Sequence, residues 1–304
     1  MIKRIMNNGK ILSCVGGIYT VRCGDVLYEC YAKGSFRHDG LTPMAGDEVT
    51  FETDEGGKGF ITKVLERKNF LIRPEVANIG VMFMVFALHS PDPNFLAIDK
   101  LTALSEHTGI ESVIVFNKRD IADERFTKEI VDIYERAGYP VIVLSASDNP
   151  EEVKARLYPF AEGKVAVFTG PSGVGKSTII NALYPTLSLE TGKISEKNRR
   201  GKNTTRTTTL YPVDDGGTYL VDTPGFTLLD FDRFRFMKKE ELVYAFREYA
   251  PLALDCRYTK CTHTKEEGCK ILEKINDGTL PKTRHESFLS LWEILKNHKD
   301  WEKN

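Results

Sequence analysis

Tryptophan is scarce in this chain, two in 304 residues, and no hydrophobic run approaches the roughly 20 residues that span a bilayer. A membrane-spanning helix is therefore not expected. The start, Met1-Ile2-Lys3-Arg4-Ile5, has two basic residues but no sustained apolar stretch behind them. A cleaved secretory signal is not expected, and the cytoplasm is the expected location. Charge of one sign is also missing: 42 Lys and Arg stand against 43 Asp and Glu, a net of -1. That sum speaks neither for nor against nucleic acid, because it hides patches. Internal repeats and low-complexity segments are absent, which excludes solenoids and disordered linkers as the main architecture. Cysteine is limited to six residues. Cys14, Cys23 and Cys30 have no nearby His and read as small core residues. Cys256, Cys261 and Cys269 cluster with His263, and in a cytosolic chain clustering favours metal over disulfide.

What is present divides into three stretches. Residues 1–70 hold short β-like runs broken by Gly and Asp, such as Gly17 to Val21, Val26 to Cys30 and Glu48 to Phe51, with a turn cluster from Pro43 to Asp47. That spacing suggests a small all-β barrel or sandwich. Arg73-Pro74 marks a plausible boundary. Residues 71–232 alternate apolar strands with helical stretches, as in a parallel α/β sheet. The strand candidates are Val81 to Phe86, Ser112 to Phe116, Val141 to Leu144, Lys164 to Thr169 and Thr218 to Val221. Residues 233–304 look helical around the Cys/His cluster. Leu242, Phe246 and Tyr249 keep helical spacing, as do Phe288, Leu291, Trp292 and Leu295. Pro281 is placed to open the last helix and Gly278 to close the one before it.

Four of the strand candidates run directly into a motif, and open α/β sheets bind ligands beyond the carboxyl ends of their strands. Gly170-Pro171-Ser172-Gly173-Val174-Gly175-Lys176-Ser177 fits the phosphate loop in full and leads into a helix that begins with Thr178. Its glycines let backbone N–H groups face phosphate oxygens, and the helix start adds a favourable dipole. Lys176 is expected at the β- and γ-phosphates, and the Ser177 hydroxyl on Mg²⁺. Asn117-Lys118-Arg119-Asp120 fits the guanine-reading pattern. The Asp120 carboxylate can accept two N–H groups from guanine and would be left unpaired against adenine. Lys118 can lay its stem along the base, and Asn117 can tie this loop to the phosphate loop. Ser145-Ala146-Ser147 supplies a backbone N–H for the guanine oxygen. GTP is thus preferred over ATP. Asp222-Thr223-Pro224-Gly225 offers Asp222 to the Mg²⁺ shell and the Gly225 N–H to the γ-phosphate. Between the last two motifs lies Gly201-Lys202-Asn203-Thr204-Thr205-Arg206. A switch threonine is needed there, Thr204 or Thr205, with Thr205 beside Ser177 as the expected magnesium ligand. Thr207 to Thr209 reads as strand.

The order of these motifs is unusual. The base-reading motifs precede the phosphate loop, where an ordinary GTPase has them after it. That order points to a circularly permuted GTPase with a domain at each end.

Cys256, Cys261, His263 and Cys269 supply three thiolates and one imidazole within 14 residues. Such a closed set of four suits one tetrahedral structural Zn²⁺.

With these residues the chain resembles the RsgA family of bacterial ribosome-assembly GTPases, in barrel, motif order, Gly-x-x-Thr-Thr switch and Cys/His cluster. The resemblance implies a multi-domain α/β protein: an N-terminal OB-fold β-barrel over 1–70, a circularly permuted P-loop GTPase domain over 71–232 and a C-terminal helical zinc-binding domain over 233–304. It implies GTP hydrolysis in late maturation of the small (30S) ribosomal subunit, stimulated by that subunit, with 16S rRNA as partner and the protein a monomer. The family's switch carries a proposed catalytic His in Gly-x-His-Thr-Thr. This chain has Asn203, which can hydrogen-bond a water but is no general base near neutral pH. Phe226 stands where many GTPases place a water-orienting Gln. The expected catalytic set is Lys176, Thr204, Thr205 and Asn203. Tyr31, Lys33, Phe36, Arg37 and His38 are a candidate RNA face that reads from residues alone as hairpin surface and core. The run of Lys197, Arg199, Arg200 and Lys202 is a second basic candidate. Two rival functions stand beside this one: a GTP-gated RNA-binding switch that hardly hydrolyses, and a non-ribosomal P-loop enzyme acting on a small molecule.

Overall fold

A computed structural model of the chain describes residues 5–33, 36, 41–54, 57–72, 74–185, 208–222 and 237–296. The switch candidates Asn203, Thr204 and Thr205, the residues from Thr223 through Phe226, the basic run 197–202, Arg37 and His38 lie outside them, as does the Asp222 side chain.

The barrel is built from β1 (Ile5–Val15), β2 (Ile18–Cys23), β3 (Val26–Ala32), β4 (Glu48–Thr53) and β5 (Gly59–Val64). Then come β6 (Phe70–Ile72), β7 (Glu75–Ala77), β8 (Val81–Ala87), α1 (Phe95–Thr108), β9 (Glu111–Asn117), α2 (Glu124–Arg136), β10 (Val141–Val143), α3 (Pro150–Ala161), β11 (Val165–Thr169), α4 (Lys176–Leu183), β12 (Thr209–Pro212) and β13 (Tyr219–Asp222). The C-terminal part has a 3₁₀ segment Lys239–Ala245, then α5 (Ala250–Ala253), α6 (Lys270–Asn276) and α7 (Lys282–Lys296).

The chain forms two compact units. The first contains residues 1–81, 157–168 and 183–226. In it β1 pairs with β2, β2 with β3 and β4 with β5, all antiparallel, while β3 and β5 run parallel. β4 returns to β1 and closes the barrel. One long strand serves two neighbours here: β1 pairs with β4 through Ile5 to Lys10 and with β2 from Lys10 onward, with a bulge between Ile11 and Ser13. Gly9 sits at the crossing, where a Cβ would come within 2.6 Å of the Arg22 carbonyl oxygen. Alternate residues Val21, Cys30, Val49, Phe51 and Ile61 point inward and are fully buried. Cys30 is core, as expected, and Cys14 and Cys23 pack half-buried against it. Phe36 belongs to the same core, at 8% exposure, so burial removes it from the candidate RNA face. Tyr31 remains exposed.

Pro74 lies in the turn of the β6–β7 hairpin, where Ile72 pairs with Glu75. The turn cluster before β4 is tied by buried Asp47, which accepts from the Met44 N–H at 2.8 Å and takes both arms of Arg67. β12 pairs with β1 through Ser13 and Thr209, and β13 lies between β12 and β11, parallel to the latter. The expected threonine strand starts at Thr209, one residue after Thr208.

The second unit contains residues 82–156, 169–182 and 227–304. Its strands β8, β9 and β10 are neighbours, with β9 and β10 parallel, and β8 is buried along its whole length. All five strand candidates of the α/β stretch match β8, β9, β10, β11 and β13 to within a residue or so at each end. Asn94 caps α1, accepting from the Ala97 N–H, and Gly109 ends it at φ 67°. Asp123 caps α2 in the same way.

The C-terminal helical region is less regular than its spacing predicts. Leu242 is in the 3₁₀ segment, Phe246 is extended and Tyr249 precedes α5. Pro251 explains the break: it lacks an N–H and is tolerated only in a first helical turn. Phe246, Tyr249, Phe288 and Leu291 still share one fully buried cluster, joined by Ala103 of α1.

Candidate functional site

The nucleotide motifs of the second unit stand on rigid supports. β9 ends at Asn117, and Lys118 follows in the left-handed region at φ 63°, which turns the chain into the 3₁₀ segment Arg119–Ile121. Asn117 is 4% exposed and uses both ends of its amide. Its Nδ2 donates to the Val174 carbonyl in the phosphate loop at 2.9 Å, and its Oδ1 accepts from the Ala146 N–H at 3.0 Å. One side chain thus joins three loops. The fit is tight, for a Cβ on Gly175 (φ 95°) would lie 2.3 Å from Asn117 Nδ2. Gly170 is as constrained, since a Cβ there would come within 1.9 Å of the Val85 carbonyl oxygen.

Asp120 is oriented from behind. The Ser145 hydroxyl donates to Asp120 Oδ1 at 2.9 Å and accepts from the Asp120 N–H at 3.0 Å. Lys118 Nζ donates to the Ser90 carbonyl, and Arg119 pairs at 3.6 Å with Glu152. Lys176 opens α4 and donates to the carbonyls of Gly170 at 2.8 Å and Pro171 at 2.6 Å. Burial lowers its pKa to about 8. Ser177 and Thr178 follow, half-buried, while Ser172 and Gly173 are exposed. The hydroxyl of Ser145 and the carbonyl of Ser90 are contributions that motif reading missed. Ser145 was legible only through its backbone, and Ser90 carries no motif.

The second cluster is a candidate metal centre. The donor atoms of Cys256, Cys261, His263 and Cys269 all lie within 4.8 Å of one another. His263 Nδ1 is 3.6 Å from Cys256 Sγ and 3.4 Å from Cys269 Sγ, and the two sulfurs are 3.9 Å apart. Zn–S and Zn–N bonds of about 2.3 and 2.0 Å require donor separations of roughly 3.5–3.8 Å in a tetrahedron. The three separations among Cys256, His263 and Cys269 are close to those values, and Cys261 completes a closed set of four that suits a zinc ion. Burial raises the thiols of Cys261, to about 12, and Cys269, and lowers the His263 imidazole. A bound dication reverses the thiol preference. Glu266 accepts four hydrogen bonds in this loop, which hold its pKa at about 2 although burial opposes them. Sequence reading had no signal for it.

A third buried cluster is purely structural. Arg284 of α7 is wholly buried, 2.6 Å from Asp99 of α1 and bidentate to Glu248 at 2.7 and 2.9 Å. Its guanidinium also lies 4.6 Å from the Phe246 ring centroid.

Comparison with known proteins matches residues 64–232 to the RsgA GTPase family and residues 8–61 to the RsgA N-terminal domain. A small ribosomal subunit biogenesis GTPase RsgA of Alkaliphilus metalliredigens is 39% identical, covering 97% of this chain and 100% of that protein. One from Clostridium botulinum is 38% identical over 96% and 98% of the two chains. Among solved structures, YjeQ of Thermotoga maritima aligns with a TM-score of 0.82 at 31% identity, covering 97% of this chain and 100% of that one. YloQ, described as a circularly permuted GTPase, aligns at 0.77 and 27% identity, covering 97% and 96%.

Proposed function

This chain belongs to the RsgA family and is a circularly permuted GTPase, and from that premise we propose that it hydrolyses GTP in the biogenesis of the small ribosomal subunit. The relatives' shared description supports the biological role. The observation that carries the chemical reading is the Asn117 amide bridging the phosphate loop and the Ser145-Ala146 loop. It couples base recognition to the phosphate cradle, as a nucleoside triphosphate site requires.

In this reading Asp120 takes the two guanine N–H groups, Ser145 aims that carboxylate, and the Ala146 loop meets the guanine oxygen. Backbone N–H groups from Gly170 through Gly175 surround the phosphates. Lys176 exchanges its two loop carbonyls for β- and γ-phosphate oxygens, which bear the charge that builds in the transition state. Magnesium enters with GTP as the substrate complex, and Ser177, Thr205 and Asp222 are its proposed partners. Gly225, Thr204 and Asn203 complete the γ-phosphate side. Cys256, Cys261, His263 and Cys269 hold one structural zinc ion, which ties the C-terminal helices together. The proposed partners are the 30S subunit and its 16S rRNA, the proposed location is the cytoplasm, and among the described residues no helix is long and apolar enough to cross a membrane. The domain limits 1–70, 71–232 and 233–304 stay part of this reading.

A switch that holds GTP with little hydrolysis is the second reading, favoured by Asn203 and Phe226, neither of which can act as a base.

Calorimetry with GDP and ADP tests the site. Wild-type protein should prefer GDP strongly, and Asp120→Ala should reduce that preference at least tenfold. A wild type that binds both alike sinks the reading.

A further inference from the structure

The metal loop turns between His263 and Cys269, and one carboxylate organises that turn. Glu266 Oε1 accepts from the Thr262 N–H at 2.9 Å and from the Thr262 hydroxyl. Oε2 accepts from the N–H groups of Thr264 at 3.0 Å and Lys265 at 3.1 Å. Four donors use both oxygens, so the carboxylate is committed to the loop rather than to a metal. Thr262 and Thr264 flank the ligand His263, whose backbone is left-handed at φ 59°. That region is uncommon for a residue with a Cβ, because the Cβ crowds the following carbonyl oxygen. The other end of the loop is closed independently: the Arg257 N–H donates to the Gly268 carbonyl at 3.1 Å, and the Cys269 N–H to the Glu266 carbonyl at 3.3 Å. The second pair of contacts sets Cys256 beside Cys269. Among the described residues, the Glu266 side chain is the one that accepts from both neighbours of His263.

We propose that Glu266 is the positioning residue of the metal centre: it holds the backbone about His263 in its left-handed turn, so that Nδ1 faces the Cys256 and Cys269 sulfurs before the ion arrives. The proposal rests on reading the four ligands as a zinc site. Ordering the loop in advance removes an entropy cost from metal binding, as outer partners of zinc ligands do elsewhere.

The experiment uses the full-length chain, stripped of metal under reducing conditions. Zinc affinity is measured by competition with a chromophoric chelator, and the ligand field by the visible spectrum of the Co²⁺ form. Glu266→Ala should weaken zinc binding about 10- to 100-fold and change the cobalt d–d bands. Glu266→Gln keeps one acceptor oxygen and turns an amide toward two N–H donors. It should also lose affinity, and it decides the matter alone if the alanine variant fails to fold. A role in general stability would lower the melting temperature yet leave affinity and spectrum of the folded protein as in wild type, and that result overturns the proposal. Wild-type protein that takes up neither zinc nor cobalt overturns the metal reading as well.

Discussion

Lys176 illustrates how much a single residue depends on its surroundings. Its ammonium donates to two loop carbonyls, and burial brings its pKa down to about 8 from an ordinary lysine value. Binding a polyphosphate favours the charged form, so nucleotide binding should take up a proton when the solution is above pH 8. GDP affinity should therefore fall by up to tenfold per pH unit between about 8 and 10 and stay flat from 6 to 7. Calorimetry in two buffers of different ionisation heat reads the proton count directly, and equal heats at pH 9 would contradict it. The effect on folding has the opposite sense. A folded pKa below the unfolded one means that burial of this ammonium opposes folding below pH 8 and that the penalty lifts as pH rises toward the unfolded value. The motif identified Lys176, whereas its titration follows from packing that no motif contains.

Helices α1 and α7 are joined through a buried ionic cluster rather than by apolar packing alone. Arg284 meets two carboxylates, Asp99 and Glu248, with the Thr102 hydroxyl at 3.0 Å. Replacing it by Met leaves two buried carboxylates without their cation, a change that costs about 3–5 kcal/mol in comparable settings. Arg284→Met should lower the urea midpoint accordingly. Burial already raises the pKa of Asp99 despite Arg284, and a carboxyl raised in the folded state favours folding as pH falls. The deficit should be smaller at pH 5 than at pH 8, and a pH-independent deficit would contradict this account. The pairing was not legible in advance: Asp99 and Arg284 are 185 positions apart and neither belongs to a periodic pattern. The aromatic spacing of α7 was legible, because a helix that buries one face must repeat apolar residues every three or four positions. The region around Phe246 misled the same reasoning, since buried spacing is compatible with a 3₁₀ turn and a break at Pro251.

At the scale of the molecule, the prediction concerns its partner. Neither Asn203 nor Phe226 offers a base, so intrinsic turnover should be slow and hydrolysis should depend on ordering by the small subunit, with a gain of about 10³–10⁵ as partner-supplied ordering gives other GTPases. Turnover measured with and without 30S subunits checks it. Equal rates would leave the second, switch-like reading in place.

Chemistry that depends on residue type and short spacing was determined by the sequence itself. The phosphate loop, the guanine pattern and the Cys/His cluster each lie within a short stretch, because each motif folds on one strand end or one loop, and the permuted order is read from their succession along the chain. Tertiary structure decided what joins those pieces. It set Asn117 against Val174, Ser145 behind Asp120, Glu266 around His263 and Arg284 between Asp99 and Glu248, and it buried Phe36. Such contacts arise from three-dimensional packing of elements whose separation along the chain carries no local energetic signal, and only the fold brings them within hydrogen-bonding distance.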